Sequence, residues 1–226
     1  MNKTYLAFDI DGTIYDAAPI VVDAYRNGIV RSSKTLGRND ILPPEKQAIM
    51  DIMGTPTDKI FDTFFPGLSR EERSVVNDAC SDSFVDLISD GGGRLMDGAY
   101  EALENLYNKG CIILPASNGR REYVTSILKS FKIEKFFDSP MLFVEGDIRD
   151  KSDILFLYKK LLSPRDILIM IGDRELDRAA AVINNVPFIG CAFGHAGESE
   201  IRGERWVASS FREIPQIINE IESGLA

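Results

Sequence analysis

A chain of 226 residues, 44% hydrophobic and 27% charged, has the make-up of an ordinary globular protein with room for one sizeable core and an inserted subdomain. Its formal net charge of −9 gives no electrostatic reason to expect nucleic acid or an anionic membrane surface as partner, so a phosphate-bearing substrate needs local positive charge and metal to draw it in. The three cysteines are scattered and odd in number, as free thiols in a reducing compartment are; Asp9 breaks the first apolar run too early for a secretory signal, and Ile167 to Ile171 is far too short to span a membrane. A cytoplasmic protein is expected.

The first element is Tyr5 to Phe8, a short apolar run that reads as a buried strand and leads into Asp9-Ile10-Asp11-Gly12-Thr13. Side chains at i and i+2 of an extended chain point the same way, so Asp9 and Asp11 emerge together at the strand's carboxyl end. Two such carboxylates repel, and a cation such as Mg2+ relieves the repulsion. From there to about Ile88 the pattern is helical, with no convincing strand. A helix with apolar positions Ile20, Val21, Ala24 and Tyr25 runs over Ala17 to Arg31, and a second starts near Pro43. A break follows at Met53-Gly54-Thr55-Pro56-Thr57, then a short helix from Pro56 to Phe65. The next helix opens at Ser69, where Glu72 completes a capping box. Gly91-Gly92-Gly93 reads as a flexible return.

From Gly98 onward helices and strands alternate. Helix Ala99–Asn108 precedes a strand from Cys111 to Ala116, which ends in Ser117-Asn118-Gly119. Helix 121–131 leads to a short strand expected over Met141 to Val144, and the next helix starts at Lys151 with Ser152 as its cap. Ile167 to Ile171 is the most apolar strand and ends in Gly172-Asp173, followed by a helix carrying Leu176, Ala180 and Ile183. Strands over Val186 to Gly190 and at Trp206-Val207 follow, with a Gly-rich loop around His195 between them and a final helix capped by Ser210 and Glu213. Alternation of this kind predicts an α/β fold with a Rossmann-like, doubly wound parallel sheet. The core falls to residues 1–15 and 90–226, and residues 16–89 form an α-helical cap subdomain inserted after the first strand.

Polar residues suited to phosphate chemistry sit at successive strand ends and helix starts. Ser117 offers a hydroxyl and neighbouring backbone N–H groups. Lys151 offers a point positive charge. Asp173 and Asp177 share a face if the helix has begun there. Singly these are a cap, a surface charge and turn residues; their order is the informative feature.

On these motifs the chain resembles the haloacid dehalogenase superfamily, through Asp9-Ile10-Asp11-Gly12-Thr13, Ser117-Asn118, Lys151 and Gly172-Asp173-Arg174-Glu175-Leu176-Asp177. Within it the chain looks like the phosphoglycolate phosphatase branch. The resemblance implies hydrolysis of a small phosphorylated metabolite, with Asp9 as nucleophile and Asp11 as general acid and base. Ser117, Asn118 and Lys151 would take up phosphoryl charge, Gly12, Thr13 and Gly119 would line the substrate, and Mg2+ would be held by Asp9, Asp11 through its backbone carbonyl, Asp173 and Asp177. Gly54 and Thr55 would reach the leaving group from the cap. A hexose phosphomutase, a pyrophosphatase or a nucleotidase would share this core. From other classes, a receiver domain would carry its phosphorylated aspartate on a later strand, and a non-catalytic phosphate-binding protein would leave the intact charged motifs unexplained. Neither a nucleic acid nor a membrane partner is implied.

Overall fold

The computed structural model describes residues 3–51, 57–196 and 199–225. The chain divides into two compact units, Met1–Asp16 with Arg94–Ala226, and Ala17–Gly93. Among the described residues no helix is long and apolar enough to cross a membrane.

The first unit begins with β1 (Thr4–Phe8), and the chain leaves it through β2 (Tyr15–Asp16). In the second unit, α1 (Val21–Leu36), α2 (Lys46–Asp51), α3 (Thr57–Phe64) and α4 (Arg70–Ser89) follow one another with no strand among the described residues. Back in the first unit come β3 (Arg94–Leu95), α5 (Ala99–Asn108), β4 (Ile112–Pro115), α6 (Arg121–Ser130) and α7 (Lys151–Lys160). The unit closes with β5 (Ile167–Gly172), α8 (Glu175–Asn184), β6 (Phe188–Cys191), β7 (Val207–Ala208) and α9 (Ile214–Leu225).

Five strands form one parallel sheet in the order β4-β1-β5-β6-β7. The central strands are apolar on both faces because helices cover both, so they read as continuous runs in place of an alternating pattern. Ala7, Leu168 and Met170 pack with Ile154, Leu155 and Tyr158 of α7 and with Ala180 and Ala181 of α8. The chain adds β4 on one side of β1 and β5 on the other. The carboxyl ends of these three strands therefore flank the point where strand order reverses, which is where open α/β sheets hold ligands. This is the α/β architecture that the alternation predicts.

The second unit has its own apolar interior, built from Ile29, Ile41, Phe61, Leu68, Val76 and Cys80. Its longest helix starts at a complete capping box: Ser69 N–H donates to the Glu72 carboxylate at 2.8 Å, and Glu72 N–H donates to Ser69 Oγ at 3.2 Å.

Several local expectations are corrected. Met141 to Val144 is not a strand: Phe137, not this run, bridges to β4 at Ile113, and Leu142 N–H donates to the Tyr158 hydroxyl at 2.9 Å. The cap of α7 is Asp150, whose Oδ1 accepts from Ser152 N–H at 2.8 Å and Asp153 N–H at 3.1 Å, so Ser152 lies inside the helix. Ser210 makes no side-chain cap; Glu213 instead takes Ser209 N–H at 2.8 Å, and α9 begins at Ile214 after a 3-10 turn over Phe211–Glu213. The strand expected over Val186 to Gly190 starts two residues later and ends one residue later, as β6. The antiparallel pair of β2 and β3, where Tyr15 faces Leu95 and Asp16 faces Arg94, was not anticipated.

Candidate active site

The site is assembled at the carboxyl ends of β1, β4 and β5. Asp9 directly follows β1 and continues the ladder, its N–H donating to Ile171 O at 2.9 Å, so its side chain is carried to the sheet's end and is only 2% exposed. Asp173 follows β5, and Asp177 lies in the first turn of α8; both are fully buried. Carboxylate oxygens of Asp9, Asp173 and Asp177 lie within 4.8 Å of one another. Lys151, the first residue of α7, reaches into the same place: Nζ donates to Asp9 Oδ1 at 2.6 Å and to Asp177 Oδ1 at 2.5 Å. One ammonium among three carboxylates leaves two negative charges uncompensated in a buried region.

The electrostatics follow from that imbalance. Burial, reinforced by Asp177, holds the Asp9 carboxyl well above the ordinary carboxylate range, against the opposing pull of Lys151. Burial likewise raises Asp173. For Lys151 burial works against the charged form, but Asp177 and Asp9 outweigh it and keep the ammonium protonated far into the alkaline range. An all-oxygen, buried, anionic donor set fits a hard divalent cation such as Mg2+.

The glycines beside these carboxylates are fixed by space. A Cβ on Gly172 would stand 2.3 Å from Asp177 Oδ2, and one on Gly194 would stand 2.2 Å from Asp173 Cβ. Any larger residue would displace a carboxylate. Asp173 is oriented on both oxygens: Thr13 Oγ1 donates to Oδ1 at 3.2 Å, and Ala196 N–H donates to Oδ2 at 3.0 Å. Gly12 also packs against Asp173. The second oxygen of Asp177 accepts Arg174 N–H at 3.0 Å, capping the start of α8.

Ser117 is buried after β4, and its Oγ accepts Gly119 N–H at 3.0 Å. Asn118 Oδ1 accepts Lys151 N–H at 3.0 Å, tying the loop after β4 to the start of α7. The Asp11 carboxylate does not join the three-carboxylate group; the Tyr123 hydroxyl donates to its Oδ1. Burial raises the Asp11 carboxyl while that phenol pulls it down, and burial with the neighbouring Asp11 charge pushes the Tyr123 hydroxyl well up. Gly54 and Thr55 lie outside the described residues.

Four residues at this end of the sheet were missed or undervalued by sequence reasoning. Tyr123 carries no local signal, since a tyrosine in the first turn of α6 looks like ordinary packing. Asp16 and Arg94 were not singled out at all. His195, which the sequence marks only as part of a Gly-rich loop, donates from Nε2 to Asp16 Oδ1 at 2.9 Å.

The chain matches the haloacid dehalogenase-like hydrolase family over residues 6–191. A 5'-nucleotidase of Pseudomonas aeruginosa is 25% identical over 206 residues, spanning 88% of this chain and 87% of that protein. A phosphoglycolate phosphatase of Colwellia psychrerythraea is 23% identical over 226 residues, spanning 94% of this chain and 96% of that protein. The solved structure of a predicted phosphatase from Clostridium acetobutylicum superposes with a TM-score of 0.75 at 26% identity, covering 97% of this chain and all of the other, 100%.

Proposed function

The chain belongs to the haloacid dehalogenase-like hydrolases and is a phosphoric monoester hydrolase, and we propose that it cleaves a small phosphomonoester through an aspartyl-phosphate on Asp9 with Mg2+ as cofactor. The observation that carries this reading is the buried contact set of Asp9, Lys151, Asp177 and Asp173 at the strand ends.

Each role makes a demand that its residue meets. Lys151 holds Oδ1 of Asp9, which leaves Oδ2 to attack phosphorus as the ester P–O bond breaks. Asp11 gives its proton to the departing alkoxide, then takes one from the water that attacks the aspartyl-phosphate, so that phosphate leaves and Asp9 is regenerated. Ser117 (held from behind by Gly119 N–H), the backbone N–H of Asn118, and Lys151 share the charge on the transferring phosphoryl oxygens. Gly12 and Thr13 keep the turn after β1 close against Asp173. Asp9, Asp173 and Asp177, with the backbone carbonyl of Asp11, would hold the cation. Bound there, Mg2+ supplies positive charge that offsets the carboxylates and the incoming phosphate.

These residues act on the phosphoryl group that every such substrate shares, so they do not select the leaving group. Phosphoglycolate is the first substrate to assay, because it carries the anionic leaving group of the phosphatase branch that the motifs resemble. The test is phosphate release from phosphoglycolate, a nucleoside monophosphate, a hexose phosphate and pyrophosphate, in Mg2+ and in EDTA. Release of phosphate from at least one monoester, dependent on Mg2+, is the expected result. Isomerisation of the hexose phosphate without release would mark a mutase, and full activity in EDTA would remove the cation from the mechanism.

A further inference from the structure

Asp16 is a buried carboxylate for which the phosphoryl chemistry has no use. It ends β2 at 3% exposure, and each of its oxygens is held by a different partner. Arg94 Nε donates to Oδ2 at 2.8 Å from the facing position of β3. His195 Nε2 donates to Oδ1 at 2.9 Å, from the loop that follows β6. A carboxylate withdrawn from water costs free energy unless its lone pairs are satisfied, so the geometry of this contact is strongly specified.

The loop that carries His195 is wrapped around Asp173. Gly194 stands so close that no side chain fits between it and the Asp173 Cβ, and Ala196 N–H donates to Asp173 Oδ2 at 3.0 Å. His195 sits between these two residues. The last strand contact before it is Ala192 N–H to Ala208 O at 2.9 Å, and Gly194 N–H then closes a turn on Cys191 O at 3.1 Å. Beyond that turn, Glu200 further along the loop accepts Glu175 N–H at 2.9 Å, and beside the carboxylate cluster two contacts hold the loop, the His195 bond to Asp16 and the Ala196 bond to Asp173. One anchors it to the β2–β3 hairpin, and the other orients a carboxylate of the cluster.

We propose that Asp16 is a positioning residue for cation binding, acting through His195 to hold Ala196 N–H against Asp173. The inference rests on reading Asp9, Asp173 and Asp177 as the cation's ligands. It accounts for the only histidine of the chain by a tether, with no part in acid–base chemistry. It also predicts a sign that simple charge effects would not give. Removing a basic side chain beside an anionic site would, through charge alone, leave metal binding unchanged or tighter, whereas losing the tether weakens it.

The test measures Mn2+ binding to the full chain by electron paramagnetic resonance, without substrate, alongside thermal melting. Leu at position 195 fills the space without a donor, and Gln keeps a donor of similar reach. His195→Leu is expected to weaken Mn2+ binding about tenfold, the lower end of the range for partners that orient a metal-binding group. His195→Gln should recover most of that loss. Arg94→Gln, which removes a side chain 73% exposed and leaves the loop contact in place, should stay within about twofold, as exposed ion pairs contribute little. Asp16→Asn should follow His195→Leu if it folds, and the His195 variants decide the matter if it does not. Unchanged or tighter binding in His195→Leu would overturn the proposal, and so would equal weakening by Leu and Gln. A wild-type chain that binds no Mn2+ would overturn the cation reading itself, before any variant is made, and this inference with it.

Discussion

The interiors of the two compact units are made of different material. The unit built on the parallel sheet buries Asp9, Asp16, Lys151, Asp173 and Asp177, all near the carboxyl ends of its strands, while the helical unit, among its described residues, buries Ser32 and Ser83 but no charged side chain. Ser32 settles locally, its hydroxyl donating to Ile29 O at 2.9 Å one turn earlier. Buried charge costs several kcal/mol per ion unless partners compensate, so a chain carries it only where something uses it. The interior of the helical unit can be understood as packing alone. That of the sheet unit cannot.

Substitutions on either side of this divide should therefore fail in different ways. Asp9→Asn is expected to lower kcat to less than about a thousandth of wild type, as removal of a covalent nucleophile does, while thermal melting in EDTA stays level or rises because one of three repelling carboxylates is gone. Turnover surviving in a preparation checked for deamidation would break the contrast at its strongest point. Lys151→Met should also abolish turnover and, by leaving Asp9 and Asp177 unneutralised, destabilise the fold by roughly 3–5 kcal/mol in EDTA, as measured by urea unfolding. Added Mg2+ should recover part of that loss. Ile29→Ala, in the core of the helical unit, is expected to cost roughly 2–5 kcal/mol while leaving Mn2+ affinity unchanged. An equal loss of metal affinity would show that the two interiors are not independent.

The smallest expected effect is a pH dependence. The folded-state values of Asp9 and Asp173 are raised by burial, so their protonated forms are favoured and that contribution to stability is lost as pH rises through the raised values. A cation competes with protons for the same oxygens. Calorimetry should thus find a larger Mg2+-induced gain in Tm near about pH 8 than near about pH 5. A gain independent of pH would place the ion elsewhere.

The parts of this molecule that were legible in the sequence are those whose signal is local. β1, β4 and β5 are doubly buried parallel strands and so appear as short apolar runs, and Asp9, Ser117 and Asp173 follow them within one or two residues. Met141 to Val144 shows the limit of that signal. Phe143 is buried, but the N–H of Leu142 is committed to Tyr158, so the run records burial without strand pairing. Asp150 and Ser152 are both good capping residues, and composition alone does not choose between positions two apart. The β2–β3 hairpin is two residues deep with the whole helical unit between its strands, which leaves no periodicity to read. Tyr123 on Asp11 and His195 on Asp16 are contacts between residues far apart in the chain, and neither residue differs from its neighbours until the fold brings the pair together.

Asp177 has a consequence for motion. One of its oxygens caps α8 at Arg174, the other binds Lys151, and the backbone N–H of Lys151 is held by Asn118 at the start of α7. Helix ends ordinarily open first, because their terminal groups are the least well held. Here neither helix can fray from its amino end without separating a buried ion pair. Amide hydrogen exchange at Lys151 and Arg174 should therefore be slow for residues at helix starts, and its rate becomes a gauge of whether the carboxylates beside them are protonated, ion-paired or occupied by metal.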